Sequence, residues 1–222
     1  MATLPSVSAL IRLQLAGTAA LGLSLLGFAK LAEDVRDHEQ LVRYDSDAAG
    51  WLHNHTTAAL TALSNAVTQI GSTHVIVAAT LGLVALLLVD GRRVEAGFLA
   101  CAVIGGEILD AVLKSEFHRA RPEFADPVTS AAGFSFPSGH AMEAMILGGA
   151  VMLLGWPRCR TLRQRIVLGS VIGAVVLLVG MSRIYLGVHY PSDVAAGYAA
   201  GASWLLVCAL TFSLWRSSRR TP

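Results

Sequence analysis

Three short stretches of this chain combine residue types and spacings that could do chemistry: Lys114 to Arg121-Pro122, Pro137-Ser138-Gly139-His140, and Ser182-Arg183 followed by His189 and Asp193. Lys114, Arg121 and Arg183 offer the positive charge that phosphoryl oxygens require, an arginine fork holding two oxygens and a lysine acting as a point charge. A single cation at a membrane edge more often snorkels to water, so it is the joint spacing, KxxxxxxRP, PSGH and SRxxxxxHxxxD, that sets these residues apart. Pro137 to His140 stand before an apolar run, where a helix would begin with unpaired first-turn amides and the positive end of its dipole, an arrangement that binds anions. Gly139 lets the backbone approach a ligand closely, and Ser138 can donate its hydroxyl or cap the helix. A plain helix cap accounts for Pro-Ser-Gly but not for His140. Asp193 follows His189 by four residues, so its carboxylate can reach one ring nitrogen if the chain is helical from about Tyr190, with Pro191 in the first turn. An imidazole oriented in this way, its other nitrogen free, suits attack on phosphorus.

Two carboxylates share a helical face with Lys114: Glu107 and Asp110. Asp110 is expected to form a salt bridge that orients the lysine, and Glu143, one turn beyond His140, is expected to support that histidine. His38, His53, His55, His74 and His118 have no motif around them and are read as surface or interface residues. Cys101 and Cys208 lie in apolar segments and Cys159 in an Arg-rich loop, with no spacing that suggests a disulfide framework or a metal site.

All three spacings resemble the signature of the type-2 phosphatidic acid phosphatase superfamily, and the resemblance covers roughly residues 70–215. It implies that His189 attacks phosphorus to form a phosphohistidine, that Asp193 holds the imidazole in the right tautomer, and that His140 protonates the leaving oxygen and then activates water. Lys114, Arg121, Ser138, Gly139 and Arg183 would bind the phosphoryl oxygens. Neither a cofactor nor a metal is implied. The superfamily includes membrane lipid phosphatases and soluble vanadium-dependent haloperoxidases, and composition separates the two.

The 222 residues are 54% hydrophobic and 14% charged, against about 25% charged in a soluble domain. The expected fold is therefore all-α, a polytopic membrane bundle. A span needs about 20 mostly apolar residues, and six segments qualify: Ile11 to Ala29, Thr73 to Val89, Ala96 to Leu113, Ala141 to Gly155, Ile166 to Ser182 and Val194 to Trp215. The stretch from Thr56 to Ile70 is uncharged but rich in Thr, Ser, Asn and Gln, and is expected to be interfacial or re-entrant rather than a seventh span. The first span lacks a small-x-small cleavage pattern and reads as an anchor. A net charge of +2 with basic residues confined to short loops excludes a nucleic-acid partner, and no obligate protein partner is evident.

Counting Lys and Arg sets the orientation. Arg12, Arg92, Arg93, Arg158, Arg160, Arg163, Arg165, Arg216, Arg219 and Arg220 fall on one side, and Lys30, Arg36, Arg43, Lys114, Arg119, Arg121 and Arg183 on the other. Both termini are then cytoplasmic, and the parity of the last four spans brings all three motifs to the extracytoplasmic face. The chain is expected to be one integral membrane domain, residues 1–70 forming an anchor and an extracytoplasmic segment and 71–215 the motif-bearing core. The acidic stretch from Glu33 to Asp47 is expected to be a solvated connector, with an extracytoplasmic lid or lipid-entry helix the alternative. A site at that boundary, in a cell membrane, suits a lipid phosphate monoester or diphosphate such as phosphatidic acid or phosphatidylglycerophosphate, with undecaprenyl diphosphate the alternative. A haloperoxidase would not need six apolar spans, and vanadate is expected to inhibit. A non-enzymatic lipid binder or transporter would be expected to have lost one of the two histidines.

Overall fold

The computed structural model describes residues 7–37 and 39–218, with side chains from Gln14 to Asp37 and from Gln40 to Arg216. The side chain of Arg12, as well as His38, Arg219 and Arg220, therefore lies outside the described residues. Eight α-helices follow in order: α1 (Val7–Asp37), α2 (Glu39–Asn54), α3 (Ala58–Ile70), α4 (Thr73–Val89), α5 (Arg93–Phe117), α6 (Gly139–Gly155), α7 (Leu162–Tyr185) and α8 (Pro191–Ser218). Among the described residues there is no strand. Local chemistry sets several of the starts. Thr57 accepts from the Leu60 amide at α3, and Thr161 and Gln164 form a reciprocal capping box at α7.

Five helices, α1, α5, α6, α7 and α8, are long and apolar enough to cross a bilayer. The remaining expected span, Thr73 to Val89, takes a form that hydropathy did not suggest. Thr73–Val89 does not qualify alone but only together with Ala58–Ile70, the two helices meeting at a 43° bend across Gly71-Ser72. Length and composition fit the pair to one broken span or to a re-entrant loop, the latter a form expected for the first segment. Helix α1 also outruns its expected end at Ala29. Its 31 residues reach about 46 Å at 1.5 Å per residue, well beyond a hydrocarbon core of about 30 Å. Lys30, past the apolar stretch, pairs with Glu33 at 3.2 Å and Asp34 at 2.9 Å.

Helix α6 packs against α5, α7 and α8, and α1 lies along α8. Small residues allow the closest approach. A Cβ at Gly197 would lie 2.6 Å from the Ser138 carbonyl, and one at Gly201 2.7 Å from that of Met142, so a glycine four residues after a glycine gives α8 a flat face against α6. The Trp204 indole donates to the Ala102 carbonyl at 2.8 Å, tying α8 to α5 where no water competes. At one rim Arg216 joins Glu95 at 3.0 Å, linking the end of α8 to the start of α5. At the other rim the end of α5, the start of α6, the end of α7 and the start of α8 come together, and these are the four places where the motifs lie. The loop from His118 to Ser138 closes that rim. It leaves α5 through His118 in the left-handed conformation (φ 48°) and re-enters at Phe136, which is fully buried against Phe28 and Phe117.

Candidate active site

His189 sits in the turn between α7 and α8, two residues before Pro191 opens α8, and is 2% exposed. Its Nδ1 is 3.4 Å from Asp193 Oδ2 and 3.5 Å from Ser135 Oγ, and its Nε2 is 2.9 Å from Arg121 Nη1. The tautomer follows from the partners. A guanidinium can only donate, so Nε2 accepts and the ring proton belongs on Nδ1, facing the carboxylate. Burial, reinforced by the Arg121 and Arg183 charges, lowers the His189 pKa from 6.5 to about 4 against the opposing pull of Asp193. The ring is therefore neutral at neutral pH, with its lone pair on Nε2.

Asp193 is completely buried. Its Oδ2 accepts from the Tyr190 amide at 2.9 Å and from the Ser135 hydroxyl, and its Oδ1 accepts from Arg119 at 2.6 Å. The carbonyl of the same residue accepts from the Ser138 amide at 3.0 Å, which locks the first turn of α8 to the start of α6.

Ser138 is fully buried at that start, yet its hydroxyl has no hydrogen-bond partner and does not cap α6, contrary to the capping role open to it from sequence. Gly139 faces α5, where an added Cβ would meet Asp110 Oδ2 at 2.8 Å and Lys114 Nζ at 2.9 Å. Lys114 is held by Asp110 at 2.6 Å, the pairing their spacing predicts. Arg183 lies in the last turn of α7, one Nη donating to Thr68 of α3 at 2.8 Å while its buried Nε has no partner. His140, in the first turn of α6, lies within electrostatic reach of Arg183, His189, Lys114 and Arg121.

Arg121 spends its donors differently. Besides His189 it donates to the carbonyls of Val188 (2.7 Å), Gly133 (3.1 Å), Ala132 (3.1 Å) and Phe134 (3.0 Å), so all five of its N–H groups are engaged. Behind it opens a cavity of about 670 Å³ lined by Arg119, Arg121, Phe124 and Phe134 but by neither His189 nor His140. Arg121 is thus the partition between that cavity and the histidine.

The acidic residues divide into two groups. Glu107 and Glu143 lie beside Asp110 and Lys114 in electrostatic contact. Glu143 is 3% exposed, neither of its oxygens has a partner, and it points toward Gly106 of α5. It makes no hydrogen bond to His140, so the support expected of it is absent. Among the described residues no group of three or more His, Cys, Asp or Glu is placed to hold a metal ion.

The second group revises an expectation. The stretch from Glu33 to Asp47 is more than a solvated connector: it is helical on either side of His38, and while most of its described side chains are exposed, Asp45 is 2% exposed, 2.7 Å from Arg119 and 3.1 Å from the Ser192 amide. Helix α2 also grips the closing loop through His53, whose ring stacks on Phe124 at 4.0 Å and pairs with Asp126 at 2.9 Å, holding that carboxyl below its usual range. Asp45, Thr68, Arg119 and Ser135 escape motif reading. Arg119 registers only as one more cation in the charge count, and the other three have no neighbours in sequence that would mark them.

These features define a class, a multi-span helical membrane protein whose bundle end gathers two histidines, two arginines and a lysine about the start of one helix. Residues 95–217 match the PAP2 superfamily, and the chain belongs to it. It is 36% identical over 112 residues to the phosphatidylglycerophosphatase B of Bacillus subtilis (strain 168), covering 50% of this chain and 55% of that protein. To the undecaprenyl-diphosphatase of Sulfolobus acidocaldarius it is 31% identical over 173 residues, 75% of this chain and 77% of that one. The chain spans about half the length of the first curated relatives it matches. The crystal structure of a transmembrane PAP2 type phosphatidylglycerolphosphate phosphatase from Bacillus subtilis superposes with a TM-score of 0.80 over 91% of this chain and 98% of that one. At 22% identity this is a likeness of fold.

Proposed function

We propose that this protein is a lipid phosphatase acting through a phosphohistidine. One observation carries the reading: a buried, neutral His189 whose Nε2 lone pair faces the basic side of the site while Nδ1 is backed by Asp193. The unpaired Ser138 hydroxyl and Arg183 Nε are buried donors of the kind that demand a partner, and phosphoryl oxygens would satisfy both. Nε2 attacks phosphorus as the bond from phosphorus to the lipid oxygen breaks, and His140, which takes up a proton when the phosphate dianion binds among the site cations, gives that proton to the leaving oxygen. In the second step His140 takes a proton from water, the resulting hydroxide attacks phosphorus, and the N–P bond breaks to release inorganic phosphate. Arg121 must first transfer Nη1 from His189 to a phosphoryl oxygen, so substrate entry and unmasking of the nucleophile are one event. Lys114, fixed by Asp110, completes the positive surround that electrostatic catalysis of phosphoryl transfer needs.

The substrate is a lipid phosphate monoester or diphosphate, because the site lies at the end of the apolar helices, where a headgroup meets lipid tails. The names of the relatives support this range, and the match to the undecaprenyl-diphosphatase, which covers 77% of that protein, favours keeping diphosphates within it. In the proposed orientation both termini are cytoplasmic and the site is extracytoplasmic, in the cell membrane. The test is phosphate release by detergent-solubilised protein in EDTA, with phosphatidic acid, phosphatidylglycerophosphate and undecaprenyl diphosphate side by side. Wild type is expected to release phosphate from at least one and His189→Ala from none. Equal release by both would overturn the mechanism.

A further inference from the structure

Asp193 does not work alone. Its Oδ1 receives Arg119 Nη1 at 2.6 Å, and the other nitrogen of the same guanidinium, Nη2, is held by Asp45 Oδ2 at 2.7 Å. Asp45 also accepts from the amide and the hydroxyl of Ser192, the residue before Asp193, and that hydroxyl takes a further bond from Arg119 Nη1 at 2.7 Å. The guanidinium lies over the Tyr190 ring, its Cζ 4.3 Å from the ring centroid. Asp45, Ser192 and Asp193 are each at most 4% exposed and the Arg119 side chain is 10% exposed. This is a closed ring of one cation, two carboxylates and a hydroxyl directly behind the nucleophile. Asp45 comes from α2, outside the 95–217 segment that matches the family.

We infer that Asp45 and Arg119 are positioning residues for the nucleophile, a clamp in which α2 fixes the Arg119 guanidinium so that it holds Asp193, and through Asp193 the His189 ring, in line for attack. The clamp rests on the phosphohistidine reading above. Arg119 is thereby set apart from the other site cations. Both of its terminal nitrogens are consumed by carboxylates and Ser192, and it serves the histidine rather than the phosphate. A carboxylate with only Ser135, the Tyr190 amide and the ring to hold it could turn about its Cβ–Cγ bond, and the Nδ1 contact, already 3.4 Å, would be lost. A small displacement of a reacting group is enough to cost about a hundredfold in rate.

The test uses the full-length protein in detergent with the best substrate from the panel. Asp45→Asn preserves shape and can still accept from Ser192 but removes the charge facing Arg119. It is expected to lower kcat about a hundredfold while KM and inhibition by inorganic phosphate stay within about threefold of wild type, as expected when substrate binding is untouched. Arg119→Ala is expected to fall at least as far and to recover partly with millimolar guanidinium, which can enter through the cavity beside Arg119; methylammonium should not rescue. Size-exclusion elution and the melting curve check folding, and if Arg119→Ala does not fold, Arg119→Lys takes its place with the same expected split between kcat and KM. Full activity of both variants beside an inactive His189→Ala would overturn the clamp and leave the phosphatase reading standing. Weakened phosphate inhibition with kcat unchanged would make Arg119 a phosphate ligand and also overturn the clamp. An active His189→Ala would instead bring down the reading on which the clamp rests.

Discussion

His189 reconciles two demands that usually conflict. A nucleophile must keep its lone pair at working pH, and a residue beside a carboxylate tends to gain a proton; deep burial and two neighbouring arginines win here and bring its pKa to about 4. The sign of the consequence is fixed. Between about pH 6.5, where a free imidazole titrates, and about pH 4 the unfolded chain binds a proton that the folded one refuses, so stability is retained above that window and lost as pH falls through it. With the ring 2% exposed, a lowering of this size corresponds to about 3 kcal/mol. Melting curves in detergent should therefore show wild type losing stability relative to His189→Gln between those pH values, and no further below them. An unchanging difference would mean that the ring is charged in the folded protein. At this scale, what the sequence discloses depends on chain distance. His189 and Asp193 are neighbours whose offset can be read, and Lys114 finds Asp110 one turn away. Asp45 and Arg119 are separated by 74 positions and Arg119 and Asp193 by another 74, and nothing local marks a carboxylate in an acidic stretch as one destined for burial.

Elements position the site through backbone contact more than through side chains. The α6–α8 seam is the clearest case, since the Asp193 carbonyl holds the Ser138 amide while Gly197 lets α8 press directly on the Ser138 carbonyl. Gly197→Ala places a Cβ 2.6 Å from that oxygen, and Ala141 Cβ at 3.2 Å and Met142 N at 3.3 Å on α6 leave no side to yield to. The helices must part, and we expect a loss of about 1–3 kcal/mol together with reduced kcat, because the start of α6 shifts away from His189. Gly173→Ala on α7, where a Cβ meets nothing within 4 Å, should change neither, so melting temperature and rate measured on the pair separate seam from scaffold. Equal behaviour of the two variants would show that the seam does not position the site. The spans themselves were readable because apolar length is what a bilayer demands. The α3–α4 bend was not, because hydropathy reports how long a segment is but not its direction, and Gly71-Ser72 reads as punctuation whether the chain stops or only turns. The role of α2 was hidden for a related reason: a charge count registers Asp45 as polar and cannot register the Arg119 and Ser192 groups that make its burial affordable.

For the molecule as a whole, the proposed orientation follows from two independent properties. The parity of α5 to α8 puts the motifs at one rim, and Arg158 and Arg160 of the turn between α6 and α7, with Arg163 and Arg165 of the first turn of α7, put the opposite rim in the cytoplasm by the positive-inside rule. The bend between α3 and α4 leaves this untouched, because the parity of the last four helices does not pass through it, whether the pair is one broken span or a re-entrant loop. The native Cys159 lies in that arginine-rich turn and is partly exposed, which makes it a reporter for the cytoplasmic rim. With Cys101 and Cys208 replaced by alanine, a membrane-impermeant maleimide applied to intact cells should leave Cys159 unlabelled until the membrane is opened. In a cysteine-free background, Pro122→Cys on the closing loop should be labelled without opening it, since Pro122 lines the cavity at the motif rim. The reverse pattern would place the site in the cytoplasm. It would then confine the substrate to lipids whose phosphate faces inward, while the chemistry of His189 and its arginines would stay the same. The labelling therefore tests which leaflet supplies the substrate independently of whether the protein is a phosphatase.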